Sequence, residues 1–327
     1  MYKRQEYEEI LEEIKDLEEI LENPDKLKQV IKEELEYIRE EYGDDRKSPI
    51  EERLDLTTED LIKPEDMVVT ISRLGYAKTQ PLEVYQSQRR GGVGKTAASV
   101  KEEDFVEQLI VANTHDTLLC FSNLGKVYWL KVYEIPQASR VAKGRPLVNL
   151  IQLDSEERIT SLLNVESFDA AGFVFMATMK GVVKKTPLED FRLPRKNGKR
   201  AIKLDAKDEL VGTKITDGKQ HIMLISDAGK AVYFDEKDSR PLGRDTRGVK
   251  GIELEDEQNV ISLMVPGSED EILTVSENGF GKKSRIADFR KTKRGAKGVI
   301  AMQLSEKEWQ INFCGSSNRR RRSYFNN

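Results

Sequence analysis

The chain has 327 residues, of which 34% are charged and 38% hydrophobic, and its formal net charge is −4. That length is about twice a common domain, so two or three structural units are expected. No apolar run approaches the roughly 18 residues of a membrane span, and the start MYKRQEYEEI lacks the apolar core of a signal peptide. Two cysteines and two histidines support neither a disulfide framework nor a structural zinc site, so a cytosolic protein with no metal is expected.

Charge is segregated along the chain. Residues 1–66 hold 11 basic and 24 acidic side chains, net −13, whereas the remainder carries +9. The basic part is thereby a candidate for a polyanionic partner, against the plainer reading of a solvated acidic helix beside an ordinary domain.

Residues 1–43 read as a helical arm. Tyr7, Ile10, Ile14, Leu17 and Leu21 recur at steps of three and four on a glutamate-rich background. Asn23-Pro24 breaks that run, because proline lacks the N–H a helix interior needs. Asp25 is then a candidate N-cap for a second helix, which carries Leu27, Val30, Ile31, Leu35 and Ile38 on one face and ends at Gly43. A helical hairpin or a coiled-coil arm fits this pattern, as do two amphipathic helices packing on something else. Residues 44–66, charged and holding Pro49 and Pro64, read as a linker.

From Met67 the period changes to that of strands. MVVTISR, EQLIVAN, DTLLCFSN, KVYWLKVY, GFVFMATM, HIMLISD and EILTVSEN are short β-branched and aromatic runs between turn residues. They also repeat. Gly75, Gly125, Gly181, Gly229 and Gly279, spaced 50, 56, 48 and 50 residues apart, each open an alternating run, usually basic. A second glycine-basic element follows each: RRGGVGKT, SRVAKGRPL, RKNGKRAIKL, TRGVKGIEL and KRGAKGVIAM. A period near 50 with four short strands per unit marks propeller-like blades, here over 67–307. Residues 308–327, ending in Arg319 to Arg322, read as an irregular and non-native or disordered tail. The blade edge before it is expected to stay open and to promote self-association.

Glycines let backbone approach a partner closely, and flanking Arg and Lys meet phosphates, so five such turns place positive charge along one rim. The rim candidates are Lys126 and Lys131, Lys143 and Arg145, Lys184 and Lys185, Lys199 and Arg200, Lys230, Arg247 and Lys250, Lys282, Lys283 and Arg285, and Arg294 and Lys297. Aromatic platforms for single strands are sparse in these turns, which favours duplex bent through backbone contacts. Two other readings stay open: a propeller-type protein-interaction scaffold whose basic turns are incidental, and a deviant phosphate-binding loop at GGVGKT. The latter lacks the preceding buried strand and belongs to a repeated element. His115-Asp116 has no accompanying nucleophile and reads as a turn.

Gln88-Arg89-Arg90-Gly91-Gly92-Val93-Gly94 resembles the box Q-[RK]-R-G-G-[RK]-G of the DNA gyrase A family in six of seven positions, departing at Val93. EDFVEQLIVANTHDTLL, GKVYWLKVYEIP, KGVVKKTPL and RGVKGIEL are similar to that family's C-terminal blades, and EELEYIREEYGDDRKSPI to the helical end of its breakage-reunion core. The resemblance implies a mainly β fold, a β-pinwheel of strand-exchanged blades with five of six recognisable, behind an α-helical segment. It implies duplex DNA wrapped right-handedly on the perimeter without sequence specificity, within an ATP-dependent type II topoisomerase that supercoils DNA negatively. It assigns DNA contact to Gln88, Arg89, Arg90, Gly91, Gly92 and Gly94, with Lys95 beside them. Partners implied are gyrase B and, through the core, a second copy of gyrase A, in the bacterial cytoplasm at the nucleoid. No cofactor is expected in this chain, since ATP and Mg2+ belong to gyrase B and to the core. The family's nucleophilic tyrosine has no counterpart motif here, so the segment is not expected to cleave DNA alone.

Overall fold

A computed structural model describes residues 2–44, 48, 59–84, 104–139, 142–154, 156–304 and 311–317. The chain divides into two compact units, Met1–Leu56 and Thr57–Asn327. In the first, α1 (Tyr2–Glu22) and α2 (Pro24–Tyr42) are separated by one residue. Asn23 caps α2, its side chain accepting from the Asp25 and Lys26 amides at 3.1 and 3.4 Å. The cap is therefore Asn23 and not Asp25, because Pro24 occupies the first helical position, where its missing N–H costs nothing. The apolar stripes of both helices, Ile10, Ile14, Leu17 and Leu21 on α1 and Ile31, Leu35 and Ile38 on α2, are exposed.

Not all of 44–66 is linker. A single 3-10 turn at Glu59–Leu61 packs on the β unit: Glu59 pairs with Lys131 at 2.8 Å and its carbonyl lies 3.1 Å from His115 Nε2. Thr114 Oγ1 donates to the Lys63 carbonyl at 2.9 Å. His115 is thus a turn residue that anchors this entry to the blades.

The β unit is built from five repeats. The first holds β1 (Asp66–Ser72), β2 (Tyr76–Pro81) and β3 (Val106–Asn113); the second β4 (Thr117–Ser122), β5 (Lys126–Lys131), β6 (Arg145–Pro146) and β7 (Ile159–Val165). The third holds β8 (Phe173–Thr178), β9 (Val182–Pro187), β10 (Lys199–Arg200) and β11 (Leu210–Thr216); the fourth β12 (His221–Ser226), β13 (Lys230–Asp235), β14 (Val249–Lys250) and β15 (Val260–Met264). The fifth holds β16 (Glu271–Ser276), β17 (Gly281–Arg285), β18 (Val299–Ile300) and β19 (Ile311–Ser317).

Each repeat forms an antiparallel hairpin and keeps its last strand, and the second to fifth repeats each give a two-residue strand to the hairpin before them. The sheets run β3-β1-β2-β6, β7-β4-β5-β10, β11-β8-β9-β14, β15-β12-β13-β18 and β19-β16-β17. This is a mainly β, five-bladed propeller-like fold with strand exchange between neighbours. The strands β3, β7, β11, β15 and β19 pack successively on one another. Ser161 Oγ meets Thr213 Oγ1 at 2.8 Å across β7 and β11, and Ser262 donates to the Cys314 carbonyl across β15 and β19. They form the inner edge, which leaves β6, β10, β14 and β18 outermost.

Alternation along a strand feeds two cores at once. In β4, Leu118 and Cys120 enter the cluster shared with the first blade, whereas Leu119 and Phe121 enter the one shared with the third. The strands β4, β8 and β12 are accordingly apolar on both faces, and four such cores join the five blades.

The tail expected to be irregular is partly strand. Residues 311–317 are β19, paired antiparallel with β16 from Glu271↔Ser317 to Ser276↔Ile311, and Ile311 is buried in the core between the fourth and fifth blades. This is the fifth repeat's own inner strand, in the place that β15 holds in the fourth. The rest of 308–327 lies outside the described residues.

Candidate nucleic-acid interface

The two glycines of the second to fifth repeats serve the blades first. The opening glycines sit in the hairpin turns at positive φ, from +74° to +82°. The second ones let the exchanged strand lie against the preceding hairpin. A Cβ on Gly248 would stand 2.2 Å from the Val183 carbonyl oxygen, and one on Gly298, at φ +82°, would stand 2.6 Å from that of Ala231. For these elements the close approach read as a phosphate contact is a blade-to-blade contact.

The predicted rim separates into groups. Lys184 and Lys185 are not on the rim at all. Both lie in β9, a central strand, and are 0% and 4% exposed. Lys184 Nζ donates to the carbonyls of Ala201 at 2.8 Å, Thr246 at 3.2 Å and Arg244. Burial pushes its pKa down to about 8. Lys185 Nζ lies 3.7 Å from buried Glu236, 3.2 Å from that residue's carbonyl and 5.0 Å from the centre of the Phe173 ring. The assignment of these two to DNA is corrected, since a central strand between two cores exposes neither face.

Other candidates are surface cations already paired. Lys126 bonds Asp154 at 2.5 Å, Lys230 bonds Glu255 at 2.6 Å, and Lys131 is held by Glu59. Arg200 pairs with Asp245 and Arg247 with Asp205, each between neighbouring repeats, at 2.9 and 2.8 Å. Lys250 meets Glu253, Lys283 meets Glu271 and Arg285 meets Asp288. Lys282 donates to the Ala301 carbonyl, and Arg294 to those of Asp238 and Lys250. Such exposed pairs contribute little to stability, so a phosphate can compete for the cation.

The third group is open. The side chains of Lys143, Arg145 and Lys297 are exposed and make no hydrogen bond or ion pair among the described residues. All three belong to the loops that lead into β6 and β18, or to β6 itself. Arg195 and Lys196, exposed in the loop before β10, were not singled out by sequence, nor was Arg244 before β14. RKNGKR carried the signal for the first two; Arg244 lies just outside its glycine-basic element. Lys199 Nζ stands 5.6 Å over the Trp129 ring and donates to the Leu193 carbonyl at 2.5 Å. Its pKa is lowered by burial first and then by the like charges of Arg244 and Arg195. Cations from two successive outer loops thus act on Lys199, and an anion beside it would relieve that repulsion.

The box residues Gln88, Arg89, Arg90, Gly91, Gly92, Gly94 and Lys95, and with them the GGVGKT element, lie outside the described residues. Among the described residues no cluster of His, Cys, Asp or Glu is arranged to hold a metal, and no helix is long and apolar enough to cross a membrane.

Fold and rim together define a strand-exchanged propeller domain with a cationic outer edge. The family profile described as DNA gyrase C-terminal domain, beta-propeller, matches residues 66–113, 116–166, 172–217, 220–266 and 270–309, one match per blade. The chain belongs to that family. The A subunit of DNA gyrase from Salmonella typhimurium is 48% identical over 288 residues, which cover 88% of this chain and 33% of that protein. Its Haemophilus influenzae counterpart is 46% identical over 335 residues, covering 94% and 38%. The chain thus spans about a third of the length of the curated relatives it matches. A crystal structure of the C-terminal domain of DNA topoisomerase IV superposes with a TM-score of 0.67 at 26% identity over 79% of each chain. A DNA gyrase A C-terminal domain does so with 0.62 at 27%, over 76% of this chain and 81% of that one.

Proposed function

We propose that this chain binds duplex DNA without sequence preference along its outer edge and bends it in a right-handed wrap, as the wrapping part of a gyrase-type topoisomerase. The observation that carries this reading is the concentration of cations on the exchanged strands and their loops, repeated blade after blade, in a chain of the gyrase C-terminal family. Contacts from glycine-flanked loops to phosphates position a duplex without reading bases. Successive blades turn the contact line, so bending energy is offset by added contacts. The box from Gln88 to Lys95 adds the first repeat's share.

DNA cleavage, ATP and Mg2+ belong to other parts of the assembly in this proposal: the upstream gyrase A core, paired with that of a second copy, and gyrase B. Its place is the bacterial cytoplasm, on the nucleoid. Binding of the chain to duplex should weaken steeply with salt, by about 0.9 log units per log unit of salt for each phosphate neutralised. Ligating nicked circles in its presence should trap writhe of one sign. Salt-independent binding, or none, would favour a protein scaffold instead; nucleotide binding lost in Lys95→Ala would favour the phosphate-loop reading.

A further inference from the structure

A lysine with no solvent exposure, surrounded by carbonyl oxygens, is an unusual thing to build beside a cationic rim. Lys184 lies in β9 of the third blade, yet two of its three acceptors, the Arg244 and Thr246 carbonyls, belong to the fourth repeat's outer loop. The remaining one, Ala201, follows the third repeat's own exchanged strand. One ammonium thus ties two successive exchanged segments to a single central strand. The loop it holds carries Arg244, whose charge acts on Lys199, and it is tied back to the third repeat by the Asp245–Arg200 and Arg247–Asp205 pairs at 2.9 and 2.8 Å. Around this point the Lys203 amide donates to the Thr246 carbonyl at 3.1 Å, and the Leu242 amide to that of Lys185 at 2.8 Å.

The position recurs. Three residues after the turn glycine stand Lys78 in the first blade and Lys282 in the fifth. Lys78 Nζ donates to the carbonyls of Ser139 and Ala142 in the second repeat's outer loop, at 3.3 and 3.0 Å. Lys282 reaches Ala301, the counterpart of Ala201, at 3.3 Å. The second and fourth blades place Tyr128 and Val232 there. Tyr128 sends its hydroxyl to Glu157 at 2.6 Å, and its ring lies under Gly198.

We infer that Lys184 is a positioning residue for polyanion binding: its buried ammonium fixes the carbonyls of the Arg244–Thr246 loop so that Arg244 is presented beside Lys199 and Arg195, without touching DNA itself. A buried cation is costly unless its donors are met, and three carbonyls meet all three of them. Replacing it by an apolar residue leaves those acceptors unpaired and the loop free to leave the blade. The inference rests on the proposed DNA-binding function, and its test reads the two separately.

Three variants of the full chain are compared with the parent: Lys184→Met, Arg244→Ala and the double substitution. Met223→Ala, a core truncation in the fourth blade, controls for lost stability. Expected for Lys184→Met is faster amide exchange confined to residues 242–250 and 203. Its salt slope for duplex binding should fall by about one, as in Arg244→Ala. The double variant should lose no more than either single one, while Met223→Ala keeps the parent slope. An unchanged slope in Lys184→Met, or additive losses in the double variant, would overturn the inference. Should Lys184→Met not fold, Lys184→Gln keeps two donors for the three carbonyls and is read in the same way. If the parent itself fails to bind duplex, the proposed function falls, and the exchange pattern still reports whether Lys184 holds the loop.

Discussion

Lys184 and Lys185 stand side by side in β9, and the sequence around them, GVVKKTP, looks like a basic turn leading outward. What it does not display is that β9 is a central strand with a core on either face, so side chains pointing both ways are enclosed. In the second to fourth blades the residue just after the turn glycine, such as Lys126 or Lys230, and those on the outer strand and its loop reach the rim instead. For Lys185 the consequence is a buried pair. Glu236, 0% exposed, accepts from Thr216 Oγ1 at 2.6 Å and from the Gln220 amide at 3.3 Å while facing Lys185. Glu236→Ala leaves the lysine charge without its counter-ion, and a loss of about 3–5 kcal/mol is expected in urea denaturation. Lys185→Met combined with Glu236→Leu should recover much of that. Lys184 sets a pH dependence. Its folded pKa of about 8 lies below the ordinary value of 10.5, so the burial penalty is full below pH 8. Between the two values the unfolded chain keeps the proton that the folded chain has lost, and stability from this group rises with pH. Unfolding free energies measured from pH 7.5 to 10.5 should rise more in the parent than in Lys184→Met.

Elements were easier to read than their partners. The change from a helical period to alternation near Met67, and the glycine period near 50, placed all five hairpins. The two-residue strands β6, β10, β14 and β18 are too short to carry a period of their own, and their pairing with the previous repeat is a long-range fact. The inner strand β19 was missed because QINFCGSS carries only Ile311, Phe313 and Cys314 as apolar residues, and it lies beyond the fifth glycine-basic element. What sets its role is its place after β18, as β15 follows β14. The helix break is legible in Asn23-Pro24, but the cap lies two residues earlier than the pattern suggests. Asn23→Ala should cost α2 about 1 kcal/mol, seen as reduced helical ellipticity and a lower melting point for the helical unit. Gly298→Ala tests the exchanged strand. An alanine there has both an unfavourable φ of +82° and a Cβ 2.6 Å from the Ala231 carbonyl, so β18 must shift off β13. The expected result is a loss of at least about 1–3 kcal/mol, together with faster exchange of the Ala301 and Met302 amides, which bond the Gly229 carbonyl.

For the β unit as a whole, exchange makes the blades interdependent and leaves one edge different from the rest. Four sheets have four strands, with an exchanged strand on the outside. The fifth has three, and among the described residues nothing pairs with the outer side of β17. Unpaired edges template association with another chain, and proteins blunt them with charge. Here Lys282, Lys283 and Arg285 fall within five residues of one strand, all exposed. Two copies meeting edge to edge would bring these cations together; Glu271 and Asp288 offset Lys283 and Arg285 in part, and no carboxylate pairs with Lys282 among the described residues. Repulsion between exposed charges is screened over about 10 Å at 0.1 M salt and about 3 Å at 1 M. Self-association of the chain through β17 should therefore be weak at low salt and strengthen as salt is added. Duplex binding by the same chain should do the reverse, because phosphates release counterions when they meet the rim. Sedimentation velocity of the free chain across salt concentrations reads the first trend, and a titration of labelled duplex reads the second. Lys283→Thr with Arg285→Thr should bring the association down to low salt while leaving the cluster of Arg195, Lys199 and Arg244 intact. An association that weakens with salt, or one indifferent to these two substitutions, would place the contact elsewhere than the β17 edge.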